Sequence, residues 1–377
     1  MSLPSCRNLD FDIGVVGGGP AGLAASIALR AQGFSVALFD CAVPPIDKAC
    51  GEGLMPDGLA ALGELGVSVP SYAGFPLQGI RFVDAANSVT ADFPSNPGVG
   101  VLRTVLHQLL ADRAREAGVS VRWGIKGLRV SSQGISLDGR LLRSRLVIGA
   151  DGQNSVVRRN AGLTQVREKA RRYGFRRHYR LAPWSPHVEL HWGTRSQLYI
   201  TPVSRDEICV ALLTRDSKVR PDDALNDFPE VCRRLASAAP CSPVMGALTI
   251  SRTCRRVCRE GFALVGDASG SVDAITGHGL TLAFRQALAL ATALKRNQLE
   301  QYQKAHRALS RRSRIMSSLL LALEAHGAFR KRALTGLSKQ PEVFAAFVSF
   351  HAGASPAAVL SELLIAPNRR AQQPACT

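Results

Sequence analysis

The stretch FDIGVVGGGPAGLAASIALRAQGFSVALFD, residues 11–40, constrains the fold more than any other part of this chain. Ile13 to Val16 is a short apolar run that predicts a buried strand, and Gly17, Gly19 and Gly22 follow it as G-x-G-x-x-G. In that pattern the first glycine allows a tight turn, the second lets backbone approach a pyrophosphate, and the third lets the helix pack closely on the strand. Pro20 suits the first helical turn, where its missing N–H costs nothing. Ala24, Ile27, Ala28 and Ala31 then recur at helical spacing until Gly33. Ser35 to Phe39 predicts a second strand. Asp40 stands at its end, where a carboxylate accepts hydrogen bonds from an adenosine ribose and repels a 2′-phosphate. Strand, glycine turn, helix, strand and carboxylate together predict a dinucleotide-binding unit.

The remaining chain returns to this unit twice. Its 377 residues exceed what a single core usually reaches, so two lobes are expected. Residues 48–66, KACGEGLMPDGLAALGELG, predict a loop and then a helix from Pro56. Residues 80–93 alternate as a hairpin with Asn87 near its turn, and Leu102 to Ala117 is in helical register, opened by Arg103. The apolar run Leu146 to Ile148 ends at GADGQNSVVRR, which puts Asp151 at the carboxyl edge of a sheet, where open α/β sheets bind ligands. From 172 to 213 come four strand-like segments, a separate antiparallel layer, with a helix expected over 224–238. The strand Phe262 to Val265 then ends at Gly266-Asp267, a long helix begins near Gly279, and two more are predicted over 299–325 and 328–350.

Gly277 and Gly279 leave backbone N–H groups free at a helix start, where the dipole favours negative charge. Asp267 is placed to accept hydrogen bonds from a polyol. At these residues the sequence resembles the flavoproteins that include the class A aromatic hydroxylases and the geranylgeranyl reductases, through GGGPAG with Asp40, Arg103, GADGQNSVVR and GDASGSVDAITGHGL. These blocks cover about a quarter of the chain but keep the family's order over nearly all of it. The resemblance implies an α/β (α+β) fold: a Rossmann-like FAD-binding domain, an inserted antiparallel β-sheet substrate domain, and C-terminal helices. The implied boundaries are 1–75, 97–165 and 255–300 for the discontinuous FAD domain, 76–96 and 166–254 for the substrate domain, 301–367 for the C-terminal helices, and 368–377 for a disordered tail.

Carried over by residue, the resemblance gives the pyrophosphate to Gly17, Gly19, Pro20, Ala21 and Gly22, and the ribose to Asp40. Arg103 takes the phosphate-ribitol region, Gly266 and Asp267 the ribitol, and Gly277, Gly279 and Leu280 the flavin ring. Asp151 lies by FAD and supports transient NAD(P)H binding, or alternatively is a turn that braces the site. CGEGLMP resembles a loop of the reductase branch and brings Cys50, Gly51 and Glu52 near the flavin. Cys50, Glu52, His178 and His191 are the catalytic candidates. Alternation puts Arg176 and His178 on one face of their strand, Arg177 and Tyr179 on the other, and pairs Glu189 with His191, a carboxylate and imidazole able to deprotonate a phenol. Ala274 stands where hydroxylases carry proline, which is closer to the reductases. The absence of W-x-W-x-I-P argues against halogenation, and the absence of a second G-x-G-x-x-G against a two-dinucleotide reductase. The expected function is an FAD-dependent monooxygenase of an aromatic or polyketide-like secondary metabolite, using NAD(P)H and O₂. The alternatives are a C=C reductase acting on a prenyl or lipid substrate and, from another class, a non-catalytic flavin-binding scaffold or sensor.

Charge and cysteine usage bear on partners. The net charge is +18. Residues 166–180 carry seven basic side chains against Glu168, and residues 301–340 carry nine against Glu324. Such stretches read as solvated faces or as surfaces for an anionic membrane. No helix-turn-helix, zinc finger or RNP-like pattern accompanies them, so nucleic acid is not an expected partner. No targeting segment or apolar run long enough to span a bilayer is visible, which makes a cytoplasmic location, with peripheral membrane contact through the C-terminal helices, the expectation. The nine cysteines are odd in number and scattered, the pattern of reduced thiols, and Cys254 and Cys258 lack a second pair at zinc spacing, so no metal is expected.

Overall fold

The strand Ile13–Val16 sits inside a six-stranded sheet with the order Cys258–Arg259, Phe262–Leu264, Leu146–Gly149, Ile13–Val16, Val36–Phe39, Ser120–Arg122. The computed structural model describes residues 8–361; the tail expected over 368–377 lies outside these residues. The neighbours pair in parallel except the edge strand Cys258–Arg259, which runs antiparallel. The inner strands are apolar along their length because both faces are covered; Ile13, Val15, Leu38, Phe39, Val147, Ile148 and Leu264 are fully buried. The helices Arg103–Glu116 and Gly279–Lys295 pack on Pro20–Ala31. Because Ile13–Val16 has Val36–Phe39 on one side and Leu146–Gly149 on the other, the chain leaves it in two directions. A crevice opens at such a switch point, beyond the carboxyl ends of the strands.

The second layer is a nine-stranded sheet. Along its main path it runs Gly270–Ser271, Met245–Cys254, Val166–Arg180, Glu207–Thr214, Ser196–Pro202, His187–Trp192, Gly79–Val83, Ser88–Asp92, with Ala239–Pro240 also pairing Val166–Arg180. Its pairs are antiparallel apart from His187–Trp192 with Gly79–Val83. The hairpin 79–92 therefore joins strands more than ninety residues later in the chain.

Two helical predictions need correction, both for the same reason. The helix expected over 224–238 is broken into Pro221–Ala224, a 3₁₀ turn Leu225–Asp227, and Pro229–Leu235. The helix expected over 328–350 is two, Gly327–Lys339 and Pro341–Ala352. In each case the residue before a proline, Phe228 or Gln340, has left helical geometry at φ −129°, because the proline ring crowds an α-helical predecessor.

The C-terminal helices, beginning with Leu299–Ala325, are locked to the second sheet by an apolar cluster of Phe82, Leu190, Trp192, Leu320, Leu323, Phe344 and Val348. No helix among the described residues is long and apolar enough to cross a membrane. Within the basic stretch 166–180, two arginines are interior rather than solvated. Arg172 is fully buried: Nε pairs with Asp273 Oδ1 at 2.8 Å, and Nη1 donates to Gln197 Oε1 at 3.0 Å and to Glu324 Oε1 at 2.8 Å. Burial alone would raise the Glu324 carboxyl, but hydrogen bonding and charge from Arg172 carry it below the ordinary carboxylate value. This cluster joins the second sheet, the turn at Asp273 and the C-terminal helices. Replacing Glu324→Gln leaves the Arg172 charge short of a partner and is expected to cost about 3 kcal/mol, read as a lower urea midpoint with an unchanged slope.

Candidate functional site

The glycine turn is dictated by steric crowding. Gly17 has φ +109°, and a Cβ there would collide with the Ala150 backbone; a Cβ on Gly22 would overlap the Gly17 carbonyl. Gly19, by contrast, has nothing within 4 Å of that position. Its bareness leaves the start of Pro20–Ala31 open, and that helix has neither a side-chain cap nor an acid in its first turn. The helix Gly279–Lys295 likewise has no side-chain cap and no acid in its first turn. Both starts border one cavity of about 910 Å³, formed where the two sheets and the C-terminal helices meet.

Every residue expected to hold cofactor except Gly22 lines that cavity: Gly17, Gly19, Pro20, Ala21, Asp40, Arg103, Asp151, Gly266, Asp267, Gly277, Gly279 and Leu280. Gly22 stands behind the turn, where it permits helix–strand packing. Asp40 accepts the backbone N–H of Gly18 and, at 2.7 Å, that of Ala42. Asp267 pairs with Lys48 at 3.3 Å. Arg103 is buried with Nη1 unpartnered. Asp151 Oδ2 accepts Val156 N–H at 2.6 Å and Val157 N–H at 3.2 Å, which favours the bracing alternative for this residue. The fit to FAD rests on the two bare helix starts, the small-residue cradle and the unpartnered Arg103 nitrogen, which suit the anionic and polyol groups of that cofactor.

The loop carrying Cys50 and Glu52 also lines the cavity. Glu52, between Gly51 and Gly53, holds φ +58° and is buried. Its Oε1 accepts Arg103 N–H at 2.9 Å, and its Oε2 lies 2.6 Å from His178 Nε2. His178 Nδ1 is 3.1 Å from Arg176 Nη1 and 3.0 Å from Ser242 Oγ. An arginine can only donate, so Nδ1 accepts and Nε2 carries the proton toward Glu52. Arg176 in turn donates to Asp47 at 2.6 Å. One carboxylate oxygen of Glu52, one ring nitrogen of His178 and the sulfur of Cys209 lie within 4.8 Å of one another; with Arg176 beside them and the Nε2 proton in the Glu52 bond, they form a hydrogen-bonded cluster as they stand. Burial pushes the Cys50 thiol above its ordinary value and Cys209 well above it, so both are thiols rather than nucleophilic thiolates at neutral pH.

His191 is not at the cavity. Its Nε2 pairs with Glu189 at 2.9 Å, as the alternation predicts, but Glu189 also takes Trp184 Nε1–H at 3.1 Å on the far face of the strand. The intervening Val188 and Leu190 are the residues that line the cavity. A period of two assigns these pairs to opposite faces, and the side that faces the cavity is set by the partner layer. The rest of that end is apolar, with Ile80, Phe82, Leu320 and Phe347. Tyr199 borders it with its hydroxyl spent on Ile275 O at 2.7 Å, and burial raises that phenol far above its usual value.

Sequence reasoning missed Lys48 and His107. His107 Nε2 donates to Gly18 O at 2.9 Å and so holds the glycine turn from the helix Arg103–Glu116. It stands four residues after Arg103 in that helix, a local sign that the two share a side.

A parallel dinucleotide crevice that continues into an apolar chamber under a second sheet is the architecture of a nucleotide-cofactor oxidoreductase. The chain belongs to the FAD binding domain family, whose model matches residues 10–309, and it is an FAD-dependent oxidoreductase. It is 28% identical over 296 residues to the menaquinone reductase of Mycobacterium tuberculosis, covering 71% of this chain and 72% of that protein. It is 30% identical over 178 residues to the rifampicin monooxygenase of Streptomyces venezuelae, covering 43% and 36%. The solved flavin-dependent brominase Bmp2 superposes with a TM-score of 0.78 at 18% identity, over 96% of this chain and 99% of that one, a likeness of fold.

Asp267→Ala is expected to weaken FAD retention about 10- to 100-fold, the loss of one charge-assisted hydrogen bond, measured by titrating FAD into stripped protein. Stability should also depend on pH. His278 and His351 stack at 4.0 Å, His278 Nε2 donates to His351 O at 3.0 Å, and both Nδ1 atoms are buried without partners. Burial lowers His278 and His306 to about 4 and His351 well below its ordinary value. The folded protein thus binds fewer protons than the unfolded chain between about pH 6.5 and 4, so stability is full above this window and falls through it as pH drops. Each histidine contributes up to about 1.4 kcal/mol per pH unit, a trend that urea unfolding at pH 7 and pH 5 measures.

Proposed function

We propose that the protein is an FAD-dependent monooxygenase that places one atom of O₂ on an aromatic or polyketide-like secondary metabolite, with NAD(P)H as electron donor. The observation that carries this reading is the apolar chamber walled by Ile80, Phe82, Val188, Leu190, Leu320 and Phe347, continuous with the bare start of Gly279–Lys295. Oxygen transfer demands such a water-poor enclosure, because exposure to water wastes the reducing equivalents as hydrogen peroxide. The overall balance is substrate, O₂, NAD(P)H and a proton giving hydroxylated or epoxidised substrate, water and NAD(P)⁺. Bound FAD would supply the two-electron relay between NAD(P)H and O₂. Gly17, Gly19, Asp40, Arg103, Asp267, Gly277 and Gly279 would hold it.

The chain's own residues have three tasks in this reading. The chamber walls orient a flat apolar substrate and exclude water. Glu52, on the cavity wall, shares a proton with His178 behind it, and Ser242, only half-buried, connects His178 Nδ1 toward solvent. Gly152, Gln153 and Asn154, beside Asp151 on the cavity wall, provide the surface on which a nicotinamide approaches.

A second reading, C=C reduction of a prenyl or lipid substrate, is favoured by the Cys50–Glu52 loop at the cavity and by the longer alignment with a reductase than with a monooxygenase. The two separate by mass. Incubation with NAD(P)H under ¹⁸O₂, against a panel of polycyclic phenols and prenylated quinones, is expected to yield a product carrying one labelled oxygen, with substrate accelerating the bleaching of the yellow cofactor. A product two hydrogens heavier, formed without oxygen, overturns monooxygenation in favour of reduction.

A further inference from the structure

We infer that the outer face of the C-terminal helices is a docking surface for an anionic lipid bilayer. Among the described residues, ten large apolar side chains are exposed, and five of them, Ile315, Leu319, Phe329, Val343 and Leu360, fall in the C-terminal helical segment. Ile315 and Leu319 are 43% and 47% exposed, and Phe329 is 53% exposed. With Arg311, the first two form a single stripe at i, i+4 and i+8 of the helix Leu299–Ala325. On the flank beside this stripe, Ser313, Met316, Leu320 and Leu323 are buried against the protein. The apolar surface of this helix is therefore wider than its packed side, and Ile315 and Leu319 lie outside the packed part.

Phe329 is exposed near the start of the next helix, Gly327–Lys339. Leu319 lies six residues before the helix end, about 9 Å at 1.5 Å per residue. The next helix folds back there, with Arg330 Nη1 donating to Leu323 O at 3.3 Å and its guanidinium over Trp192. Arg311, Lys331, Arg332 and Lys339 are exposed on the same two helices. Within residues 301–340 the acid, Glu324, is turned inward onto Arg172 and Arg215, and Glu342 follows in the first turn of the helix Pro341–Ala352. Exposed apolar side chains on helices where cations outnumber acids match a surface of anionic headgroups over hydrocarbon. The same charge disfavours a second copy of this chain, whose identical face would repel it.

The placement also bears on the cavity. Leu320, adjacent in sequence to Leu319, lines the apolar chamber, and so does Phe347 of the helix Pro341–Ala352. The helices that would rest on lipid thus also supply part of the wall of the chamber.

The test is sedimentation of the FAD-loaded protein with vesicles of phosphatidylcholine alone and of phosphatidylcholine mixed with phosphatidylglycerol. Binding to the mixed vesicles at low salt, at least tenfold weaker to the neutral ones or at about 0.5 M salt, is the expected result, since screening at that ionic strength shortens the reach of surface charge to a few ångströms. Leu319→Asp with Phe329→Asp should reduce binding at least tenfold, and so should Lys331→Glu with Arg332→Glu; retained FAD and an unchanged melting temperature verify the fold of each. Absence of binding to the mixed vesicles, or binding undiminished by the apolar pair of substitutions, overturns the inference. So does a dimer that those same substitutions dissolve, which would make a second copy the occupant.

Discussion

The structure depends on how closely one strand-to-helix turn can pack against its neighbour. Gly22 lies so near the Gly17 carbonyl, and Gly17 so near the Ala150 backbone, that no side chain can intervene. That proximity draws Leu146–Gly149 alongside Ile13–Val16 in register and brings the first helix down onto both. The carboxyl ends of the strands then share one edge, and the later blocks of the chain reach that edge although they are encoded far away. His107 secures the same turn from the side by taking the Gly18 carbonyl, so the cradle is held by packing on one flank and a buried hydrogen bond on the other.

How much of this was legible in the sequence follows from how local each cause is. Glycine turns, strand alternation and the start of the helix at Gly279 depend on neighbouring residues, and the cavity-lining set around Gly19, Asp40, Arg103 and Asp267 could be read from spacing and resemblance. The breaks before Pro229 and Pro341 were equally local but lay inside segments that otherwise looked helical. Partner choice was not legible. Glu52 meets His178 across 126 positions, and Arg172 meets Glu324 across 152; nothing in either neighbourhood names the other. The basic run 166–180 illustrates the limit. Its charges suggested a solvated face, whereas alternation turned Arg172 and Arg176 inward to carboxylates supplied by distant loops and helices.

Those distant pairings give the interior its division of labour. Arg172 spends its charge on Asp273, which leads into the Gly277–Gly279 turn, and on Glu324 of a C-terminal helix. Glu52, strained at positive φ, spends its carboxylate on Arg103 and His178. Buried charges are costly unless paired, so both clusters fix the relative placement of elements that apolar packing alone would leave free to slide.

The strand His187–Trp192 carries a consequence for how such a protein diversifies. Its even-numbered residues Val188 and Leu190 shape the chamber, while Glu189 and His191 satisfy each other on the reverse side. Contour and cohesion are written into the same six residues but on alternating letters. Lineages, or directed-evolution libraries, can therefore redraw the chamber at 188 and 190, together with 80 and 82 on the adjoining strand, without unpairing the polar couple behind it. Substrate range on this scaffold is evolvable chiefly by volume-conserving exchanges, because Phe82 and Leu190 also belong to the cluster that holds the C-terminal helices.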